Sequence, residues 1–393
     1  MKFAEAKSYV INLGPSKKKF SLRSIQQALR FIGNPHKQLK TILVGGTNGK
    51  GSTSTFLATI LHEAGYNVGL YNSPYVKEIT ETIRINTTPI SKKMFSQLVQ
   101  ELKDRIPIKL SYFEFKTLLV FYYFWKQKVD VAVLEVGLGG KLDCTNVTNP
   151  LLAIITNIHL DHTEILGNTH KKIAQDKIQI VKEGTLFITG EKRQELQNIF
   201  KTYCRNQKAY FVLIKNFSNT TSIKKLSPSF QKENASLVMN AAQILDEKGL
   251  YSISQKAIKD GIIKSKMIGR FQILQKNPRI IFDIAHNPNG IQTLCQAIKD
   301  LRYKKLIVLL GIMHDKDHEQ MVNSLQKIAH IIIFTIPKIE RSWKETDIES
   351  YKRDTDIFIR NTKKAYTYAR KIAGRNDLIV VTGSSYLVGE IIP

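Results

Sequence analysis

The chain has 393 residues, of which 42% are hydrophobic and 23% charged, a composition that excludes a disordered or fibrous protein and a length that suits two folded domains. Its 59 Lys and Arg against 33 Asp and Glu give a net charge of +26, which would attract nucleic acid, nucleotides or polycarboxylates. Because the basic residues are spread along the whole chain, without zinc-finger, basic-zipper or aromatic RNA-binding patterns, we expect no nucleic-acid partner.

Membrane and secretion signals are missing from the sequence. No apolar run reaches the roughly 18 residues that a membrane helix needs, and the N-terminus lacks the continuous apolar stretch of a secretory signal. The cysteines Cys144, Cys204 and Cys295 lie far apart without CxxC spacing, so neither a disulfide framework nor a zinc site is expected. We expect a cytoplasmic protein without a membrane partner.

Apolar runs of strand length alternate with helix-period segments along the chain. This alternation is typical of βαβ units, whose parallel strands form one sheet with helices on both faces. The helix after the first strand is predicted over residues 52–63, and Ser91 and Thr169 are predicted to cap later helices. The fold class is therefore α/β, with an N-terminal P-loop-type, mostly parallel, doubly wound sheet. Its predicted strands are residues 40–44, 67–70, 129–134, 152–158 and 185–188.

A second, smaller α/β domain is predicted at the C-terminal end. Residues 210–231 suit a small β excursion or loops, and a helix follows over residues 234–248. Weak periodicity and two glycines then precede a new strand at Arg279, which places the boundary near residue 270. The predicted domains are residues 1–270 and 271–393, the latter Rossmann-like with strands at 305–310, 330–334 and 378–381.

The sequence VGGTNGKGST, residues 44–53, is the strongest single motif. Its glycines allow backbone N–H groups to approach phosphate oxygens, Lys50 supplies a cation, and the following helix directs its positive end toward the anion. The motif departs from the usual P-loop spacing because Gly51 separates Lys50 from Ser52. ATP binding is the favoured interpretation, and a glycine-rich turn that binds nothing is the alternative.

Two further predicted strands end in groups that suit a magnesium site. One apolar strand ends at Glu135, and another is followed by His159, Asp161 and His162. The carboxyl ends of parallel strands face the ligand crevice, and Mg²⁺ prefers oxygen ligands beside phosphates. We predict that Glu135 and His162 lie on the same rim; a polar residue at a helix start is the alternative for His162.

These motifs together resemble the folylpolyglutamate synthase and dihydrofolate synthase family of the Mur ligase superfamily. The similar sequences include GTNGKGS from Gly46, LEVGLGGKLDCTN from Leu134, LDHTEILG from Leu160 and DIAHNP from Asp283, in matching order and separation. The resemblance implies a monomeric, ATP-dependent amide ligase that adds L-glutamate to dihydropteroate, to reduced folates or to both. It assigns residues 1–270 to the ATP-binding central domain and 271–393 to the glutamate ligase domain.

The resemblance also implies roles for particular residues. Lys50, Glu135, His162 and Lys177 are the implied catalytic residues, and Lys177 is implied to be carbamylated and to help bind a second Mg²⁺. Ser73, Glu135 and His162 are the other implied magnesium ligands. The implied ATP-binding residues are Gly46, Thr47, Asn48, Gly49, Lys50, Gly51, Ser52, Asn234, Arg270 and Asp283, and the implied substrate-binding residues are Ser111, Tyr112, Phe113, Glu114, Leu142 and His286.

Some positions depart from the family pattern, and competing functions stay open. Lys141 stands where arginine is common, and Phe230 precedes Gln231 where histidine is usual, so the substrate preference is undecided. A plain surface lysine is the alternative for Lys177. Another Mur-type ligase for cell-wall precursors and a non-catalytic nucleotide-binding protein are the alternative functions.

Overall fold

The computed structural model describes residues 1–15, 21–214 and 228–393. The chain forms two compact units: the first begins at Met1 and includes Gln231–Lys266, and the second includes Met267–Pro393. None of the helices in the described ranges is long and apolar enough to cross a lipid bilayer.

The first unit is built on an eight-stranded sheet. The strands β2, β5, β1, β6, β7 and β8 run parallel, while β3 and β4 form an antiparallel edge beside β2. The order is β4-β3-β2-β5-β1-β6-β7-β8, which confirms the predicted mostly parallel sheet. The strands are β1 (Thr41–Gly45), β2 (Val68–Tyr71), β3 (Ile83–Ile85), β4 (Thr88–Pro89), β5 (Val131–Glu135), β6 (Leu152–Ile155), β7 (Leu186–Thr189) and β8 (Tyr210–Leu213).

Helices cover this sheet, and their sequences explain where they begin. Ser91 and Thr169 cap their helices as predicted, each side chain accepting a hydrogen bond from a backbone N–H in the first turn. The helix α5 is apolar on nearly all sides because it is buried. The helices are α1 (Phe3–Asn12), α2 (Arg23–Phe31), α3 (Lys50–Glu63), α4 (Lys92–Arg105), α5 (Tyr112–Lys126), α6 (Thr163–Leu166), α7 (His170–Lys177), α8 (Gln194–Asn206), α9 (Ser229–Glu247) and α10 (Gln255–Lys264).

The structure corrects several predicted boundaries. β6 ends at Ile155 rather than at residue 158, because the following residues bond to the loop after β1. α3 begins at Lys50, two residues earlier than predicted. In the segment 210–231 the chain forms the parallel strand β8 and then enters α9 at Ser229, while residues 215–227 lie outside the described residues.

The second unit has a six-stranded sheet in the order β13-β12-β11-β14-β10-β9. Five strands run parallel, and β9 pairs antiparallel with β10, an edge strand that the sequence pattern did not predict. β9 is largely polar and exposed, so it lacks the apolar run that marks the other strands. The strands are β9 (Gln272–Lys276), β10 (Arg279–Phe282), β11 (Leu306–Leu310), β12 (Ile331–Phe334), β13 (Ile357–Phe358) and β14 (Leu378–Thr382), and the helices are α11 (Pro288–Lys299), α12 (His318–Gln326), α13 (Glu345–Glu349), α14 (Thr362–Ile372) and α15 (Ser385–Ile391).

Candidate active site

The phosphate loop, residues 44–53, joins the buried strand β1 to α3. Gly46 and Gly49 have φ angles of +129° and +81°, which L side chains rarely adopt. A Cβ atom at Gly46 would lie 2.0 Å from Thr156 Oγ1, and one at Gly49 would lie 2.4 Å from Asn234 Oδ1. The glycines therefore serve both the backbone conformation and close packing, and Asn234 lies directly against the loop.

The segment after β6 holds the phosphate loop in place. Asn157 accepts hydrogen bonds from Thr47 N through its carbonyl, at 2.9 Å, and from Asn48 N through its side chain, at 3.0 Å. Thr156 Oγ1 donates to the Asn48 carbonyl at 2.7 Å. Because β1 and β6 are adjacent parallel strands, these contacts lock the loop before any ligand binds. The sequence analysis did not single out Thr156 or Asn157.

Lys50 and Ser52 occupy the first turn of α3. The Lys50 ammonium donates to the Thr47 carbonyl at 2.9 Å, which curls the side chain back over the loop. Ser52 is 2% exposed, and its hydroxyl accepts a hydrogen bond from Gln231 Nε2 at 3.2 Å. Gln231, on α9, is thus a neighbour of the phosphate loop. In the sequence it was noted only as the residue after Phe230, where the chain departs from the family pattern.

Glu135 is a buried carboxylate at the carboxyl end of β5, 2% exposed. Its Oε2 accepts hydrogen bonds from Ser73 N at 2.9 Å and from Asn72 Nδ2 at 3.2 Å. β5 is the parallel neighbour of β1, so Glu135 lies at the same sheet edge as the phosphate loop. The structure brings the predicted ligands Ser73 and Glu135 together.

Lys177 ends α7 and is 6% exposed. Its ammonium donates to the carbonyl of Gly46 at 2.8 Å, which places it against the phosphate loop. Burial, together with the positive charge of Lys50, lowers the pKa of the Lys177 amine to about 7, while the charges of Asp161, Asp176 and Asp143 act in the opposite direction. Lys177 is therefore a buried amine beside the loop and not a plain surface lysine.

His162 lies in the turn that begins α6, with a φ of +51° in the left-handed region. Its backbone N–H donates to Asp161 Oδ1 at 3.0 Å, and its exposed ring has Nε2 3.9 Å from the same oxygen. His162 follows β6, which is separated from the Glu135 strand by β1 alone. Glu135 thus ends one parallel strand, and His162 comes after another parallel strand of the same sheet.

The predicted acceptor segment forms the N-terminus of α5. Glu114 Oε2 accepts hydrogen bonds from the backbone and hydroxyl of Ser111, at 2.8 and 2.7 Å, so this pair caps the helix. Phe113 is 51% exposed, with its ring against the edge of Tyr112 at 5.1 Å. Leu142 is also exposed. Apolar rings and side chains are thus available to a flat ligand.

Three predicted site residues belong to the second unit. Asp283, which follows β10, accepts backbone hydrogen bonds from Phe271 and Ala285, both at 2.8 Å. Burial raises the pKa of its carboxyl group to about 6, and the positive charge of Arg270 acts in the opposite direction. His286 Nδ1 lies 2.9 Å from the Ile284 carbonyl. Arg270, Asp283 and His286 therefore belong to one group of loops beside β10.

Lys116, on α5, is a site neighbour that the sequence analysis missed. Its side chain is 1% exposed, and its ammonium lies 5.1 Å from the ring centre of Tyr71 and 5.5 Å from that of Tyr112. Burial lowers the pKa of its amine to about 7, against the opposing charge of Glu135. A lysine inside an otherwise apolar helix was the available signal.

The donor set suits a magnesium ion held partly by nucleotide phosphates. Among the residues that the structure describes, no three His, Cys, Asp or Glu side chains come close enough together to hold a metal ion. Mg²⁺ beside phosphates commonly takes one or two protein carboxylates and completes its shell with water and phosphate oxygens. The buried Glu135 carboxylate, with Ser73 adjacent, meets that requirement.

Two domain families together match residues 44–385 of the chain. The Mur ligase middle domain matches residues 44–274, and the Mur ligase, glutamate ligase domain matches residues 269–385. The dihydrofolate synthase/folylpolyglutamate synthase of Bacillus subtilis is 31% identical, with 94% of each chain covered. The chain belongs to the folylpolyglutamate synthase and dihydrofolate synthase family. It is an ATP-dependent glutamate ligase of the Mur ligase superfamily. The phosphate loop that such a ligase needs follows β1 in the sheet of the first unit.

A second curated relative and a solved structure are also similar to this chain. The folylpolyglutamate synthase of Lacticaseibacillus casei is 28% identical over 100% of this chain. The Escherichia coli FolC structure in complex with DHPP and ADP has a TM-score of 0.88 and 28% identity, and the match covers 99% of this chain and 96% of that chain. These relatives support the folate ligase function over the two alternative functions, the cell-wall ligase and the non-catalytic nucleotide-binding protein.

Proposed function

We propose that this chain joins L-glutamate to dihydropteroate, to reduced folates or to both, through an acyl phosphate. A carboxylate oxygen of the acceptor attacks the γ-phosphorus of ATP, and ADP leaves. The glutamate amine then attacks the acyl carbon, inorganic phosphate leaves, and the amine loses a proton. The similarity of nearly the whole chain to relatives named for both activities supports this proposal.

The single observation that carries the proposal is the group of charges around the phosphate loop. Lys50 donates to the loop carbonyl of Thr47, and Glu135 lies at the end of the neighbouring strand. A preorganised cation at a phosphate loop stabilises negative charge as it develops on the transferred phosphoryl group. Asn157 accepts a hydrogen bond from Asn48 N, and this support would reduce the reorganisation needed when ATP binds.

We propose Ser73, Glu135 and His162 as ligands of Mg²⁺ in the nucleotide complex. Mg²⁺ would neutralise phosphate charge and orient the γ-phosphate. The burial of Glu135 beside Ser73 supports this assignment, and the position of His162 after β6 is compatible with it. Isothermal titration of Mg·ADP into the Glu135→Gln variant tests it: unchanged magnesium dependence would contradict the role of Glu135.

Carbamylation of Lys177 is the second part of the site proposal. A carbamate forms when a neutral amine attacks CO₂ and releases a proton, and burial with a pKa of about 7 keeps much of the Lys177 amine neutral near pH 7. The product would place an anion beside Gly46 and offer oxygen ligands to a second Mg²⁺. Mass spectrometry under native conditions, or a ¹³C carbamate signal that disappears in Lys177→Arg, would establish it.

The acceptor side of the site is assigned to α5 and the loop after β5. We propose that the pterin part of the acceptor lies against Ser111–Glu114 and Leu142, where Phe113 is exposed for stacking. Asn234, beside Gly49, is proposed to complete the nucleotide site. In the second unit, Arg270, Asp283 and His286 are proposed to contribute to ATP and substrate binding. Residues 1–270 are proposed as the ATP-binding domain and residues 271–393 as the glutamate ligase domain.

The decisive experiment measures phosphate release with Mg·ATP and glutamate, comparing dihydropteroate, tetrahydrofolate and no acceptor. Release with both acceptors establishes a bifunctional enzyme, and release with one establishes a specialised enzyme. Release with neither contradicts the proposed acceptors. A monomeric state and a cytoplasmic location remain predictions, which analytical ultracentrifugation and cell fractionation test.

A further inference from the structure

Lys116 is buried at the junction between the predicted acceptor segment and the Glu135 carboxylate. Tyr112 and Lys116 are four residues apart on α5, so they share a face of the helix. The ammonium lies between the rings of Tyr112 and Tyr71, at 5.5 and 5.1 Å from their centres. Tyr71 ends β2, and the residues after it, Asn72 and Ser73, donate to Glu135.

The contacts of Lys116 leave its charge incompletely balanced. Within the described ranges no carboxylate forms an ion pair with it, and its neighbours are two aromatic faces, with Glu135 acting at longer range. Burying an ammonium is costly unless an anion or hydrogen-bond acceptor compensates it, and aromatic faces compensate it only in part. Burial therefore lowers the pKa of the Lys116 amine to about 7, and an anionic ligand that arrives beside it would stabilise its protonated form.

Binding of a divalent cation to Glu135 would increase the need for an anion near Lys116. When a divalent cation binds this carboxylate, Glu135 no longer balances the Lys116 charge, and the two cations repel each other. A second anion on the acceptor side would remove the imbalance. The acceptor brings one, because the group to be phosphorylated is a carboxylate.

We propose that Lys116 is a specificity-determining residue that binds the carboxylate of the acceptor, between the pterin-binding segment at Tyr112 and the Glu135 edge of the sheet. This inference rests on the proposed function and adds a cation on the acceptor side to Lys50 on the nucleotide side. Lys116 also selects against acceptors whose carboxyl group is blocked, since a neutral group would leave the buried ammonium without its partner.

The test uses the full chain with Lys116→Met, which keeps the side-chain length and removes the charge, and Lys116→Gln as a second variant. Lys126→Met is the matched control, because Lys126 lies on the same helix but is exposed and paired with Glu101. Calorimetry in the presence of Mg·ADP measures the affinity for the acceptor acid and for its carboxamide. Steady-state assays measure KM for the acceptor and for ATP.

We expect both Lys116 variants to bind the acid at least tenfold more weakly than the parent protein and to raise the acceptor KM by a similar factor. The affinity for the carboxamide and the KM for ATP should stay within twofold of the parent values. Equal losses for acid and carboxamide, or an unchanged acid affinity, would overturn the proposal. If the parent protein binds the acid but turns over no acceptor, the proposed function fails while the calorimetric comparison still decides the role of Lys116.

Discussion

Replacing Gly49 by alanine separates backbone strain from the loss of the nucleotide site. Gly49 has a φ of +81°, and a Cβ there would lie 2.4 Å from Asn234 Oδ1. Gly33 has a φ of +82° with nothing within 4 Å of a Cβ. The two substitutions therefore impose the same left-handed backbone cost, about 1–2 kcal/mol, while Gly49→Ala alone displaces the Asn234 side chain.

That cost predicts the size of both effects. A loss of about 1–2 kcal/mol in a unit of this size lowers Tm by about 2–8 °C, which is the fall expected for Gly33→Ala. Gly49→Ala should melt at a somewhat lower temperature still, because it must also displace the Asn234 side chain. Displacing Asn234 and the loop should weaken ATP binding at least tenfold, or about 1.4 kcal/mol, in Gly49→Ala alone. Differential scanning calorimetry measures the first quantity, and isothermal titration with Mg·ADP and an unreactive ATP analogue measures the second.

The comparison has a clear contrary result. If Gly49→Ala binds nucleotide as tightly as Gly33→Ala does, then the packing of Asn234 against the loop does not matter for ATP. The double variant Gly49→Ala/Asn234→Ala removes the clashing side chain but also the proposed nucleotide contact. It should recover part of the lost Tm without recovering nucleotide affinity, and full recovery of both would show that Asn234 contributes nothing to binding.

Three further predictions address the remaining site residues. Lys50→Ala and Glu135→Gln should each lower ligase turnover by more than about 10²-fold while the circular dichroism spectrum is retained; near-normal turnover in either variant refutes its assignment. Carbamate on Lys177 should increase as pH rises from about 6 to 8, because the neutral amine grows from about one tenth to nine tenths of the population around a pKa of about 7. Turnover in limiting bicarbonate should rise over the same pH range. A pH profile that is flat, and equally flat in Lys177→Arg, contradicts the carbamate. Phe113→Ala should raise the acceptor KM by about tenfold without changing the KM for ATP. Ile263, which is exposed to a similar extent, should change neither when it is replaced by alanine.

The fold could be predicted from sequence wherever a local pattern decides it. The buried strands β1, β5 and β11 are uninterrupted apolar runs, and Ser91 and Thr169 are side chains that cap helices through bonds a few residues away. β9 was missed because its polar, exposed residues form a strand only through pairing with β10. β6 was predicted too long because an apolar run does not reveal where the backbone leaves the sheet.

The residues of the candidate site also fall into two groups, those that a local sequence motif identifies and those that only the structure identifies. The glycines and Lys50 of the phosphate loop, and Glu135 at a strand end, form contiguous motifs, so they were identified without coordinates. Asn157 and Gln231 were not, because they meet the loop from positions more than 100 residues away. Lys116 was hidden for a different reason: the sequence shows a lysine within an apolar helix, but not whether that lysine is buried.

The sequence by itself determined the family, the phosphate loop and the polar groups that stand at the ends of the parallel strands. These features depend on neighbouring residues and their spacing. The tertiary structure decided which groups meet. Placing β1 between β5 and β6 sets Glu135, the phosphate loop and the residues before His162 at one edge of the sheet. Packing α7 against that edge buries Lys177 on Gly46, and burial then lowers the pKa of its amine, because desolvation depends on all the surrounding chain.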